Sequence, residues 1–172
     1  MADQSLPSTI NLVGMPGAGK STVGVILAKL SGLDFNDTDL AIQSREGATL
    51  QEIVDARGHL ALRRIEEEVL LAVDLEHAVI STGGSVVYSA AIMQRLREAG
   101  PIIYLAVDLA TLQQRIARAP LRGIASDGTQ SLADIYAERD PLYRHYADIT
   151  VDAVQPDPDT TAALILGALR QS

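Results

Sequence analysis

Short apolar runs alternate along the chain with segments in which apolar residues return every three or four positions. Thr9-Ile10-Asn11-Leu12-Val13 reads as a first strand. Val23, Ile26, Leu27 and Leu30 then follow at i, i+3, i+4 and i+7, the buried stripe of a helix that Gly32 stops. Leu33 to Asp37 predicts a second strand, and Thr49 with Glu52 has the spacing of a capping box before Leu50 and Ile53. After Gly58 a longer helix carries Leu62, Ile65, Val69, Ala72 and Val73 on one face. Ala78 to Ser81 is the next strand, and a helix over Ser89 to Ala99 ends at Gly100-Pro101. Ile102 to Val107 is nearly all apolar, which predicts a central strand. Asp108 can cap a helix holding Leu109, Leu112 and Ile116. Periodicity is lost from about Arg118 to Gln130. It resumes with Ser131 and Asp134 as a helix start, a strand at Asp148 to Val151 and a last amphipathic helix from Thr160 to Leu169.

Strands separated by helices imply βαβ units and a parallel sheet of about five strands. In such sheets ligands bind beyond the carboxyl ends of the strands. The loops that fall there are Gly14–Ser21, Asp37–Asp39, Thr82–Ser85 and Arg118–Gln130.

Composition narrows the function classes. At 172 residues the chain is the size of one domain. It carries 14 Lys+Arg against 22 Asp+Glu, a net charge of −8, so a basic footprint for nucleic acid or an anionic membrane is absent. With no Cys, disulfides and thiolate chemistry are excluded. With five Tyr, one Phe and no Trp, the core must be aliphatic. The segment from Met1 to Gly14 does not read as a secretory leader, and no apolar run approaches the roughly 20 residues of a membrane span. The expectation is a cytoplasmic domain. His59, His77 and His145 follow no metal-ligand spacing.

Gly14-Met15-Pro16-Gly17-Ala18-Gly19-Lys20-Ser21 fits G-x-x-x-x-G-K-[ST] at every fixed position. Glycines let successive backbone N–H groups turn towards phosphate oxygens, and the helix that opens after Gly19 adds its positive end. Gly17, Ala18, Gly19, Lys20, Ser21 and Thr22 are therefore expected to bind the phosphates of ATP. Lys20 reaches the β/γ-phosphates and the Ser21 hydroxyl holds Mg²⁺. By chance the pattern arises in roughly one chain in a hundred or fewer. Here it also follows a strand and opens a helix. No NKxD-type guanine-reading sequence occurs and the chain is small, so a compact small-molecule kinase fits best.

Asp37-Thr38-Asp39 ends the predicted second strand, where positions i and i+2 of an extended segment face the same way. One carboxylate could serve the metal and the other a hydroxylated acceptor. Taken alone, such a pair is more often a helix cap or a solvated loop. With it stand Gly58-His59-Leu60-Ala61-Leu62-Arg63-Arg64-Ile65-Glu66, then Ser81-Thr82-Gly83-Gly84, then Arg139-Asp140-Pro141-Leu142-Tyr143. In this order and spacing the chain resembles the shikimate kinase family from Thr9 to about Asp152.

The resemblance implies a P-loop NTPase of the nucleoside-monophosphate-kinase type, a three-layer α/β/α domain with a five-stranded parallel sheet and a mobile lid at about 118–130. It implies a monomer that uses ATP and Mg²⁺ to phosphorylate the 3-hydroxyl of shikimate on the way to chorismate. By position Asp39 would bind acceptor hydroxyls and Asp37 the metal. Arg63 and Arg139 would grip the acceptor carboxylate, Gly83 and Gly84 would border the acceptor, and Arg115 would lie against adenine. Two guanidinium groups on one carboxylate fix orientation as well as charge. Pro156 and Pro158 fall where the family's adenine loop lies.

The chain departs from the family pattern in three places. The usual Arg-Pro-Leu-Leu of the lid is Ala119-Pro120-Leu121-Arg122, which makes Arg122 the expected catalytic lid arginine, with Arg118 as the other candidate. The usual third glycine after Thr82 is Ser85. His59 and Leu62 replace an acidic residue and a Phe. Two further readings keep the phosphate loop: a kinase of another small hydroxy acid, such as homoserine or, more distantly, gluconate, and a nucleotide-binding module without transfer.

Overall fold

The computed structural model describes residues 6–119, 124 and 128–171. Five parallel strands form one sheet: β1 (Ile10–Val13), β2 (Asp34–Asp37), β3 (Ala78–Ser81), β4 (Ile102–Ala106) and β5 (Ile149–Asp152). Their order is β2-β3-β1-β4-β5, so the chain reverses its direction of travel across the sheet beside β1. The helices between them are α1 (Lys20–Ser31), α2 (Thr38–Glu46), α3 (Leu50–Arg57), α4 (His59–Ala72), α5 (Ala90–Ala99), α6 (Leu109–Ala117), α7 (Leu132–Tyr146) and α8 (Pro158–Leu169). A short 3₁₀ turn spans Val86–Tyr88. This is the α/β architecture that the alternating pattern predicts. The four residues of β1 and of β3 are all buried, as strands covered on both faces must be.

Several expectations change in detail. β4 is interior, but the middle strand is β1; an apolar sequence reports covered faces, not rank in the sheet. In α1, Val23 and Leu27 are buried while Leu30 is exposed, so the stripe ends one turn early. The segment after Asp37 is a helix that the periodicity does not announce. Of its apolar residues Ile42 is buried and Leu40 is exposed. The Thr49–Glu52 capping box is formed as expected, with Glu52 N–H donating to Thr49 Oγ1 at 3.2 Å and Thr49 N–H to Glu52 Oε2 at 2.7 Å.

The core has two parts. A large apolar cluster surrounds the sheet. A separate one, built from Ile42, Ile53, Leu62, Ile65 and Val69, holds α2, α3 and α4 together. No helix among the described residues is long and apolar enough to cross a membrane.

Candidate active site

The loop after β1 opens the site. Gly17 and Gly19 take φ of +83° and +94°, a backbone region that side chains with a Cβ rarely adopt, and Gly19 caps α1 in that conformation. This places Lys20 as the first residue of α1, buried, with Nζ donating to Gly14 O at 2.7 Å and Met15 O at 3.0 Å. The ammonium group thus has loop carbonyls as its partners. Burial lowers its pKa to about 8, against the opposing fields of Asp39, Asp37 and Glu66. Ser21 and Thr22 stand at the exposed edge of the same turn.

Asp37 and Asp39 come together, but not as two residues of a strand. Asp37 is the last residue of β2 and the N-cap of α2, its Oδ1 accepting from Asp39 N–H at 2.9 Å and Leu40 N–H at 3.3 Å. Asp39 lies in the first helical turn, so a strand-to-helix corner aims the two groups, in place of the extended-chain geometry. The cap reading and the site reading of Asp37 are therefore both true. Its second oxygen, Oδ2, accepts from Ser21 Oγ at 2.5 Å, and Ser21 Oγ is 3.4 Å from Ser81 Oγ. A hydroxyl beside a carboxylate oxygen is the hard oxygen donor set that suits Mg²⁺.

The loop after β3 forms the opposite wall. A Cβ on Gly83 would run into Glu66 Oε1 and stand 3.1 Å from Asp39 Oδ1. On Gly84 it would stand 2.9 Å from Arg139 Nη1 and 3.0 Å from Pro16 Cδ. A side chain at either position would have to displace the carboxylate or guanidinium that approaches the backbone there. Tyr143 OH donates to Gly84 O and fixes this wall to α7. Arg139 is 1% exposed although it sits in the interior of α7 next to Pro141. Arg63 comes from α4, and both guanidinium groups face the Tyr88 ring, with Cζ 4.1 Å and 5.3 Å from its centroid. The sequence-predicted residues Lys20, Ser21, Asp37, Asp39, Arg63, Gly83, Gly84 and Arg139 are thus brought to one end of the sheet.

Arg115 lies at the other side of the phosphate loop. Its guanidinium donates to the carbonyls of Ala153 at 2.9 Å, Ala18 at 3.3 Å and Val154 at 3.3 Å, with longer bonds to Gly17 and Gln155 at 3.4 Å. With Gly17, Ala18, Gly19, Thr22, Pro156 and Pro158 it lines a cleft of about 210 Å³. Arg118 is exposed at the end of α6. Arg122 lies outside the described residues, as does much of the expected lid.

Two residues that the sequence reading left without a role belong here. Glu66 is 4% exposed on α4, one turn after Arg63, and accepts a hydrogen bond from Ser85 Oγ. Burial pushes its pKa up to about 7, helped by Asp39 and opposed by Ser85, Arg139 and Lys20. Its sequence signal was its place in the Arg63–Glu66 stretch. Tyr88, just after the glycine wall, carried no signal beyond being one of few aromatics.

The sequence model of one family, described as shikimate kinase, matches residues 16–170. The chain belongs to the shikimate kinase family. A shikimate kinase 2 from Enterobacter sp. (strain 638) is 39% identical over 166 residues, covering 94% of this chain and 95% of that one. A shikimate kinase from Mycobacterium avium is 38% identical over 162 residues, covering 92% and 91%. Among solved structures, shikimate kinase from Acinetobacter baumannii in complex with shikimate superposes with a TM-score of 0.85 at 35% identity, over 98% of this chain and 95% of that one. Membership in a family of ATP-using kinases agrees with the phosphate loop, and the P-loop α/β fold is that of the family.

Proposed function

We propose that the protein transfers the γ-phosphoryl group of ATP to the 3-hydroxyl of shikimate. The observation that carries this reading is the convergence on one site of the Lys20 loop, the Asp37–Asp39 corner and the Arg63–Arg139 pair. A hydroxylated acid has a partner for each of its groups there. Its carboxylate meets two guanidinium groups, its ring rests on Gly83 and Gly84, and its hydroxyls face Asp39. The solved relative that holds shikimate supports the same acceptor. Ser85, the departure nearest the acceptor, turns its hydroxyl into Glu66 and is 5% exposed, so it adds no free polar group beside the ring.

The chemistry follows from these positions. Lys20 exchanges its loop carbonyls for phosphate oxygens and carries positive charge to where the transferring group gains negative charge. Ser21 and Asp37 would hold Mg²⁺, which when bound neutralises charge on the β- and γ-phosphates. Asp39 orients the attacking hydroxyl and accepts its proton as that oxygen bonds to the γ-phosphorus and the bond to the β–γ bridging oxygen breaks. Segment 118–130 serves as the lid, and Arg122 as its arginine.

The test is ADP release by the purified protein with ATP, Mg²⁺ and shikimate, with homoserine as a second acceptor. Shikimate-dependent release is expected, and Lys20→Ala should lower it at least roughly 10²-fold. No release above background with shikimate would overturn the acceptor. Release with homoserine would then replace it, and release with neither would leave a nucleotide-binding module.

A further inference from the structure

We propose that Tyr88 is a positioning residue that holds Arg63 and Arg139 ready for the acceptor carboxylate. The proposal rests on the reading of these two arginines as the carboxylate grip. Two guanidinium groups held against one ring repel each other, and the field is strong where Arg139 is almost wholly buried. The carboxylates of Glu66 and Glu138 offset part of that repulsion before an acceptor arrives. Tyr88 adds to this in two ways. Its ring presents negative π-density to both cations, with Arg63 Cζ 4.1 Å and Arg139 Cζ 5.3 Å from the centroid. Its phenol oxygen also accepts from Arg139 Nε at 3.3 Å.

The phenol is itself oriented. Its O–H donates to Glu138 Oε1, and Glu138 Oε2 accepts from Gln130 Nε2 at 3.0 Å. Glu138 is the acidic group that meets the Tyr88 phenol from α7. Its carboxyl is held below the usual range by the Tyr88 and Gln130 hydrogen bonds first and by the fields of Arg63 and Arg139 after them. The sequence Gln130–Glu138–Tyr88–Arg139 thus connects four side chains, one from just before the N-cap of α7, two from that helix and one from the 3₁₀ turn after β3. A pair held in place loses less freedom on binding than one ordered by the ligand, so its effect should fall on acceptor affinity rather than on transfer.

The experiment compares wild type, Tyr88→Phe and Tyr88→Leu. For Tyr88→Leu we expect the shikimate KM to rise roughly tenfold, with kcat within about threefold and the ATP KM within about twofold. Tyr88→Phe keeps the ring and loses the phenol bonds, so it should rise roughly threefold and rank between the other two. If wild type turns over shikimate and both variants keep its KM within about twofold, the positioning role is overturned while the function stands. If wild type releases no ADP with shikimate, the acceptor reading fails, and the role of Tyr88 is decided on acceptor-free protein. In ¹⁵N-arginine spectra the Arg139 Nε–H signal should be slow to exchange in wild type and lost in Tyr88→Leu. An unchanged signal in Tyr88→Leu would overturn it.

Discussion

The phosphate loop is mounted on a cluster of 30 buried apolar residues running from Ile10 to Ile165, whereas α2–α4, which present Asp39, Arg63 and Glu66, are joined over a cluster of five, both counted among the described residues. The first is knit by a sheet in which β1 has a partner on each side. The second depends on local devices. They are the capping box at Thr49, the Arg57–Glu46 and Arg45–Glu68 ion pairs, both at 2.5 Å, and a hydrogen bond from buried Thr38 Oγ1 to Ser81 O at 3.3 Å. The ion pairs are largely exposed on their arginine side and add little. Apolar packing is therefore unequal across the candidate site. On the proposed function, Asp39 and Arg63 of the acceptor site lie on the part expected to open locally at lower cost, whereas Arg139 and the Gly83–Gly84 wall stay with the sheet and α7.

Matched core truncations put most strain on this comparison. Ile80→Ala removes contacts inside the sheet and should cost about 2–5 kcal/mol of global stability, impairing both substrates together. Ile53→Ala removes the same atoms from the small cluster. Its first signs should be faster hydrogen exchange in α2–α4 and a raised shikimate KM with the ATP KM unchanged. Equal loss of both KM values in the two variants would erase the distinction between the halves.

The pH dependence of stability sharpens it at the seam. Glu66 has a native pKa of about 7 against 4.5 in the unfolded chain. Between those values the native state keeps a proton that the unfolded state gives up, so this group's contribution is present below pH 4.5 and is lost as pH rises through 7. Glu66→Gln should remove that slope and leave the variant more stable than wild type above pH 7 by up to about 3 kcal/mol. Denaturant titrations at pH 4.5 and 8 read the difference directly, and parallel curves for the two proteins would refute the assignment. Lys20 acts oppositely and in another window. Its native pKa of about 8 lies below 10.5, so stability rises with pH between the two.

The smallest effect expected is that of Thr49→Ala, which removes the side-chain half of the capping box and should cost about 1 kcal/mol. If the acceptor half depends on such devices, that loss should appear as increased exchange in α3 while β1 and β3 keep their protection. A uniform change would place α3 in the same cooperative unit as the sheet.

How far the sequence reached follows the same division. The loop from Gly14 to Ser21 could be read because its fixed positions answer to phosphate geometry, and β1, β3 and β4 because strands buried on both faces are mostly apolar. Helix α2 could not, since Ile42 is its buried large apolar residue and the cap reading of Asp37 came with no apolar stripe behind it to mark a helix. Leu30 misled because periodicity continues past the point where α1 leaves the core. Arg63 and Arg139 were placed by family resemblance, not by pattern, for an isolated Arg on a helix says nothing about what it faces. Glu66 and Tyr88 needed coordinates, because their roles arise from residues 19 and 51 positions away.

Arg115 also has a consequence for how the molecule comes into being. Its guanidinium ties carbonyls of the phosphate loop, 98 positions before it, to those of Ala153 and its neighbours, 38 positions after it. During synthesis the loop leaves the ribosome early, but its fastening is complete only when the last loop has emerged. At about 5–20 residues per second that interval is on the order of ten seconds. For that time a nascent chain can carry a correctly spelled phosphate loop whose far anchor does not yet exist.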